Sequence, residues 1–140
     1  IYTHMRNLPP AKINSATVSA SLISEGCVIT ECTLRNSVIG VRSIIGSGTQ
    51  LAGVIMMGAD FYENAEAASG NKQNGIPQLG IGRNCRIART IIDKNAHIGS
   101  GVRINVDGNA YENGDHGSFY CADGIIVIRK GAVIADGTVI

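Results

Sequence analysis

The sequence predicts an all-β fold, a left-handed parallel β-helix of hexapeptide repeats, and three observations predict it. An aliphatic residue, called a rung below, recurs every five or six residues, as at Ile81, Ile87, Ile92, Ile98 and Ile104. A helical face repeats every 3.6 residues, whereas a period of six belongs to hexapeptide β-helices. Two positions before a rung sits a small residue, such as Cys85, Thr90, Ala96 or Val102. The composition agrees: 140 residues hold 18 glycines, two phenylalanines and no tryptophan, so no core of large aromatics is available. Period alone does not set handedness, but hexapeptide coils with this pattern are left-handed.

Residues 1–12 are not repetitive, and Pro9-Pro10 favours extended backbone, so they read as an interdomain linker. The β-helix then occupies residues 13–140. Its first block carries rungs at Ile13, Val18, Ile23, Ile29, Leu34, Ile39, Ile45 and Leu51. The residues two before them, from Ala11 to Thr49, are all small. Five-residue steps shorten some corners and leave the register there undetermined. Residues 57–80 break the period. Asp60 is expected to cap a short helix through Ala68, because Glu63 follows three residues later. The second block is Ile81–Ile104, and residues 105–123 form a second, polar insertion. Rungs Ile128, Ile134 and Ile140 close the chain. Sixteen rungs at three per coil make about five coils. Rungs and small residues should point inward, while Gly, Asp or Asn directly after a rung should permit the bend. Both insertions should project from corners and leave the stack intact.

A net charge of +1 gives no general reason to expect nucleic acid or an anionic membrane as partner. No apolar run is long enough to span a bilayer. Cys27, Cys32 and Cys85 fill the small slot and read as buried small hydrophobes, which suits a reducing compartment; Cys121 lies outside the pattern. The chain opens at Ile1 and reads as a fragment or a cut domain.

The histidines His4, His97 and His116 lie in unlike contexts, and no CxxC spacing occurs, so no metal site is expected. No catalytic residue stands out. Lys94 and Lys130 each stand two after a rung, at equivalent corners; Arg83 and Arg89 share that phase. Such cations suit an anion such as phosphate, and the alternative is ordinary surface charge. Arg6 can join if the linker lies against the β-helix, while Arg129 is expected to face the opposite way. IGSGVRI and IGSGTQL are turns of the repeat, since a phosphate loop needs a strand-to-helix setting.

The stretches IYTHMRNLPPAKI, MGADFYE, GIGRNCRIARTIIDKNAHIG and IVIRKGAVIADGTVI, in that order, resemble the C-terminal β-helix domain of the ADP-glucose pyrophosphorylase family (glucose-1-phosphate adenylyltransferase). The likeness spans nearly the whole chain and is closer to plant and cyanobacterial members than to enteric ones. It implies a parent enzyme that makes ADP-glucose and pyrophosphate from ATP and glucose 1-phosphate, for glycogen or starch synthesis. Catalysis, with Mg2+, would lie in an N-terminal nucleotidyltransferase domain outside these residues; no cofactor is expected here. The domain itself would be regulatory and oligomerising. Its implied partners are its own catalytic domain, the other subunits of a homo- or heterotetramer, and phosphorylated effectors such as 3-phosphoglycerate and phosphate. The compartment implied is the bacterial cytoplasm or the plastid stroma.

By the same resemblance the effector-binding residues are Lys94 of the IIDKNA motif, Lys130 after the final aliphatic run, and Arg6 before LPP. Two departures bear on them. His4 and Met5 stand where related sequences commonly have Gln and Pro, and His4 is a further candidate. FYCADGI replaces YYIRSGI, so Ala122 stands in for a basic residue. A hexapeptide acyltransferase using acyl-CoA and a corner histidine is the alternative from another class, and a ligand-free assembly module is a third reading.

Overall fold

The computed structural model describes residues 8–107 and 110–140, which form a parallel β-helix. Three columns of paired rungs build it. The first runs Ile13, Ile29, Ile45, Ile81, Ile98, Ile134. The second runs Val18, Leu34, Leu51, Ile87, Ile104, with Ile140 at its end beside the Arg103–Val139 bridge. The third runs Ile23, Ile39, Met56, Ile92, Ile128. Met56 is thus a seventeenth rung, and the stack has five complete coils and two sides of a sixth. From Ile29 onward every rung is buried, whereas Ile13 and Val18 of the first coil are about half exposed. Stacking between neighbours supplies the core; the first coil buries less, whereas Ile134 and Ile140 at the other end stay buried.

The bends follow a rule that differs from the expected one. Between consecutive rungs the residue directly after the rung is not the left-handed one; Asn105, which follows Ile104 at the start of the second insertion, is the exception (57°). Where the step is six residues, the third residue after the rung takes positive φ, as at Asn84 (54°), Asn95 (61°) and Gly101 (68°). Where the step is five, the second does so, as at Ser15 (53°), Glu31 (46°) and Arg89 (44°). One left-handed residue therefore makes each corner between consecutive rungs, and the short steps simply omit one residue before it. Strands Gln50–Met56 and Arg86–Ile92 each cross such a short corner and so contribute to two faces.

Glycine after a rung answers a different need. Gly46, Gly82 and Gly99 stack at one corner, and a Cβ on Gly82 would lie 2.6 Å from the carbonyl carbon of Gly99. The small slots from Cys27 to Val102 are buried, those of the first and last coils half-buried, and their polar members satisfy turn carbonyls. Thr49 Oγ1 donates to the Gly82 carbonyl (2.8 Å), Ser37 Oγ to that of Arg35 (2.9 Å) and Thr90 Oγ1 to that of Ala88 (2.7 Å). Cys27, Cys32 and Cys85 are buried free thiols pushed above their usual pKa, mainly by that burial.

Both insertions hold structure that the period hid. The helix in the first is Ala65–Gln73, not a helix capped by Asp60. Asn64 caps it, accepting the Ala67 N–H at 2.7 Å, and the Glu63 carboxylate binds Asn71 and the Leu79 N–H instead of completing a capping box. The helix buries no residue, so it rides on the surface. In the second insertion, Phe119–Ala122 pairs antiparallel with Ile125–Ile128 through a two-residue Asp123-Gly124 turn, both residues at positive φ. That is the preferred chemistry of a tight hairpin. Gly114–Asp115 adds a further strand, and Cys121, outside the repeat, is buried in this sheet.

Candidate functional site

The third column ends each turn at one corner, where Glu25, Val41, Gly58, Lys94 and Lys130 occupy equivalent positions in successive coils. Hydrogen bonds to their carbonyls stitch the coils together: Arg42 N to Glu25, Ala59 N to Val41, Asn95 N to Gly58 and Gly131 N to Lys94. Lys94 and Lys130 are therefore adjacent, separated along the axis by about one strand spacing, ~4.8 Å. The left-handed Asn95 and Gly131 fix the backbone after each lysine. Asp93 Oδ1 accepts the Lys94 N–H at 2.7 Å.

Asp60 reaches this corner from the first insertion. Its Oδ1 lies 3.1 Å from Lys94 Nζ, and its Oδ2 accepts from Asn95 Nδ2 at 3.1 Å. Its own N–H donates back to Asn95 Oδ1 at 2.9 Å. Asn95, then Lys94, and at longer range Lys130, hold the Asp60 carboxyl below its usual pKa. Lys130 borders a shallow depression with Asp93, Tyr120, Val127 and Arg129. Arg129 does not face away as expected; it shares this depression and pairs with Asp115 of the hairpin at 2.7 Å. Among the described residues, Lys130 makes no ion pair. The corner thus offers one free ammonium and one held by an internal carboxylate.

The other candidates separate. Arg83 and Arg89 sit at the two other corners, because they follow rungs of the first and second columns; Arg89 Nη2 reaches Asn105 Oδ1 (3.4 Å). His4 and Arg6 lie outside the described residues. His97 Nδ1 lies 2.9 Å from the Pro77 carbonyl, which ties the first insertion to the stack. His116 stacks on Phe119 with centroids 5.1 Å apart, and its Nε2 lies 2.7 Å from the Glu112 carbonyl. Among the described residues, no three His, Cys, Asp or Glu side chains gather as metal ligands, and no helix is long and apolar enough to cross a membrane.

The third face also carries an apolar ladder on its outer side. The outward residue before each third-column rung is apolar: Leu22, Val38, Ile55, Ile91 and Val127, with Tyr120 paired beyond Val127. Leu22, Val38, Ile55 and Tyr120 are exposed. The matching positions of the second face are Thr17, Thr33, Gln50, Arg86, Arg103 and Val139, and those of the first face mix Val28, Ile44 and Val133 with Lys12, Gly80 and His97, so the third face alone is apolar at every coil. In the sequence this ladder is the residue before every third rung.

Hexapeptide coils with one left-handed residue per corner between consecutive rungs, carrying a lysine pair on one edge, define the class: a hexapeptide β-helix domain. The chain belongs to the family described as the GLGC left-handed parallel beta-helix domain, whose model matches residues 6–139. That model describes the C-terminal β-helix domain of the ADP-glucose pyrophosphorylase family, which is an adenylyltransferase family of glycogen biosynthesis.

Proposed function

We propose that this domain regulates and helps assemble a glucose-1-phosphate adenylyltransferase, which joins ATP and glucose 1-phosphate into ADP-glucose and pyrophosphate, and that it binds the phosphoryl group of an allosteric effector at Lys94 and Lys130. The observation that carries the reading is the stacking of these lysines at one corner of consecutive coils. Two ammonium groups one coil apart can grip one phosphoryl group from both sides, and the corner already holds one carboxylate, Asp60, through Asn95 and Lys94. Arg6 and His4, from the linker, are proposed to complete the site. The effector then bridges the β-helix and the catalytic domain, where Mg2+ belongs, and so shifts the tetramer toward its active state.

The apolar ladder from Leu22 to Val127 supports the assembly part of the reading. Exposed apolar side chains in continuous register mark a contact surface, and the catalytic domain or another subunit is its proposed partner. His97 and His116 both bond to main-chain carbonyls, which favours structural roles over an acyl-transfer base.

The test uses the full-length enzyme. Lys130→Ala should raise the effector concentration for half-activation at least tenfold, while the unstimulated rate changes little. An unchanged activation curve would reduce Lys130 to surface charge. Ile55→Lys should weaken tetramers in sedimentation velocity; an unaltered mass distribution at micromolar protein removes the ladder from the interface.

A further inference from the structure

We propose that Asp60 is the internal ligand of the Lys94–Lys130 corner, a carboxylate that an incoming anion must displace, so that the site selects dianionic phosphoryl groups over monoanions. This rests on the reading of that corner as an anion site and adds the residue that sets its threshold.

Four observations converge. The Asp60 carboxylate engages Lys94 Nζ with one oxygen and the Asn95 amide with the other, each at 3.1 Å, as one edge of a phosphate would. Asp60 belongs to no coil; it enters from the insertion after Met56, so β-helix packing does not demand a carboxylate there. Its backbone is fastened independently of its side chain, by its own N–H to Asn95 Oδ1 (2.9 Å) and by the Ala59 N–H to the Val41 carbonyl (2.9 Å). Rotation about χ1 can therefore turn the carboxylate away while the loop stays in place. Finally, the side chains of Asp60 and Lys94 are 46% and 42% exposed. An ion pair so open to water contributes little to stability, which suits a ligand that is meant to leave.

The selectivity follows from charge. While the carboxylate is in place Asp60 neutralises Lys94, and Lys130 keeps a charge that no ion pair among the described residues compensates. A monoanion that replaces Asp60 gains no charge and forfeits the advantage of a tethered group, whose effective concentration is high. A phosphoryl dianion adds one unit of charge and a third acceptor oxygen, and it can reach Lys130, which Asp60 leaves without an ion pair among the described residues.

The experiment is calorimetric titration of the full-length enzyme with inorganic phosphate and, separately, with acetate. The proteins are wild type, Asp60→Asn, Asp60→Ser and the double variant Lys94→Ala/Lys130→Ala. Removing the Asp60 charge should tighten phosphate binding about two- to fivefold, the scale of an exposed ion pair, and should bring acetate closer to phosphate in affinity. The serine variant serves if the asparagine variant unfolds early in a thermal melt. Phosphate binding that is unchanged or weaker in both Asp60 variants, yet lost in the lysine double variant, overturns this inference and leaves the anion site standing. Phosphate binding that survives in the lysine double variant overturns the anion site itself, and the role of Asp60 with it.

Discussion

Replacing Gly82 by alanine should destabilise the β-helix far more than a single methyl group suggests. Gly82 follows rung Ile81 and lies between Gly46 and Gly99 of the neighbouring coils. Its added Cβ would meet the Gly99 carbonyl carbon and oxygen at 2.6 Å and the Ser100 nitrogen at 2.8 Å. These are backbone atoms, so no side chain can swing aside. Relief requires the coils to part, and the bonds there are ordinary: Gly82 N to the Ile98 carbonyl and Gly46 N to the Ile81 carbonyl, both 2.9 Å. Overpacking costs about 1–3 kcal/mol and each of the two compromised hydrogen bonds about 0.5–1.5 kcal/mol, so about 2–6 kcal/mol is expected. Two controls isolate the cause. Gly101 has φ +68° but open space around its Cβ, so Gly101→Ala should cost only the left-handed penalty of about 1–2 kcal/mol. Gly70 lies in the surface helix with nothing within 4 Å, so Gly70→Ala should stabilise that helix by about 0.5–1 kcal/mol. Urea unfolding followed by circular dichroism ranks the three midpoints. A Gly82→Ala midpoint equal to that of Gly101→Ala would refute the argument, because it would mean the coils separate at no cost.

Three further outcomes follow from the same structure. Ile87→Ala, deep in the second column, should cost about 2–5 kcal/mol, whereas Ile13→Ala on the half-exposed first coil should cost clearly less; equal losses in urea midpoints would contradict the stacking account. Cys27, Cys32 and Cys85 are buried thiols with raised pKa, so a thiol reagent at neutral pH should label them only as fast as the fold opens; labelling within seconds in native buffer would place them at the surface. Asp60, Asp107 and Asp115 are held below the usual aspartate pKa, chiefly by Asn95 and Lys94, by Arg103, and by the Gly117 N–H. Their contribution is complete above the unfolded pKa and disappears as pH falls through the lowered folded values. Melting temperature should therefore be flat near neutrality and drop only in the acid range, and a drop between pH 8 and 6 would assign the sensitivity to other groups.

How far the sequence could be read depended on whether a feature obeys the period. Rungs such as Ile29 and Ile92 must be aliphatic and must stack, so spacing alone reveals them. The pairing of Lys94 with Lys130 was equally legible, because phase within the repeat is phase around the coil. Met56 was missed because it follows a short step and precedes an insertion, so neither neighbour in the series framed it. Corner chemistry was misassigned to the residue after the rung. Gly82 is there for close approach, while Asn84, two residues later, carries the left-handed turn. The hairpin could have been found from Asp123-Gly124 flanked by apolar residues. Asp60 could not: its place beside Lys94, 34 residues away, depends on how a non-repetitive loop folds back. The balance of charge at the site therefore became visible only in three dimensions.

The rule of one left-handed residue per corner also bears on how such a chain can change over generations. In a flat sheet a one-residue slip turns every later side chain inside out. Here a codon lost or gained just before a left-handed residue is absorbed at that corner, as the coexistence of five- and six-residue steps shows. Each bend is an expansion joint, so insertions and deletions can accumulate at the edges, the loop bearing Asp60 among them, while the ladder inside keeps its alignment.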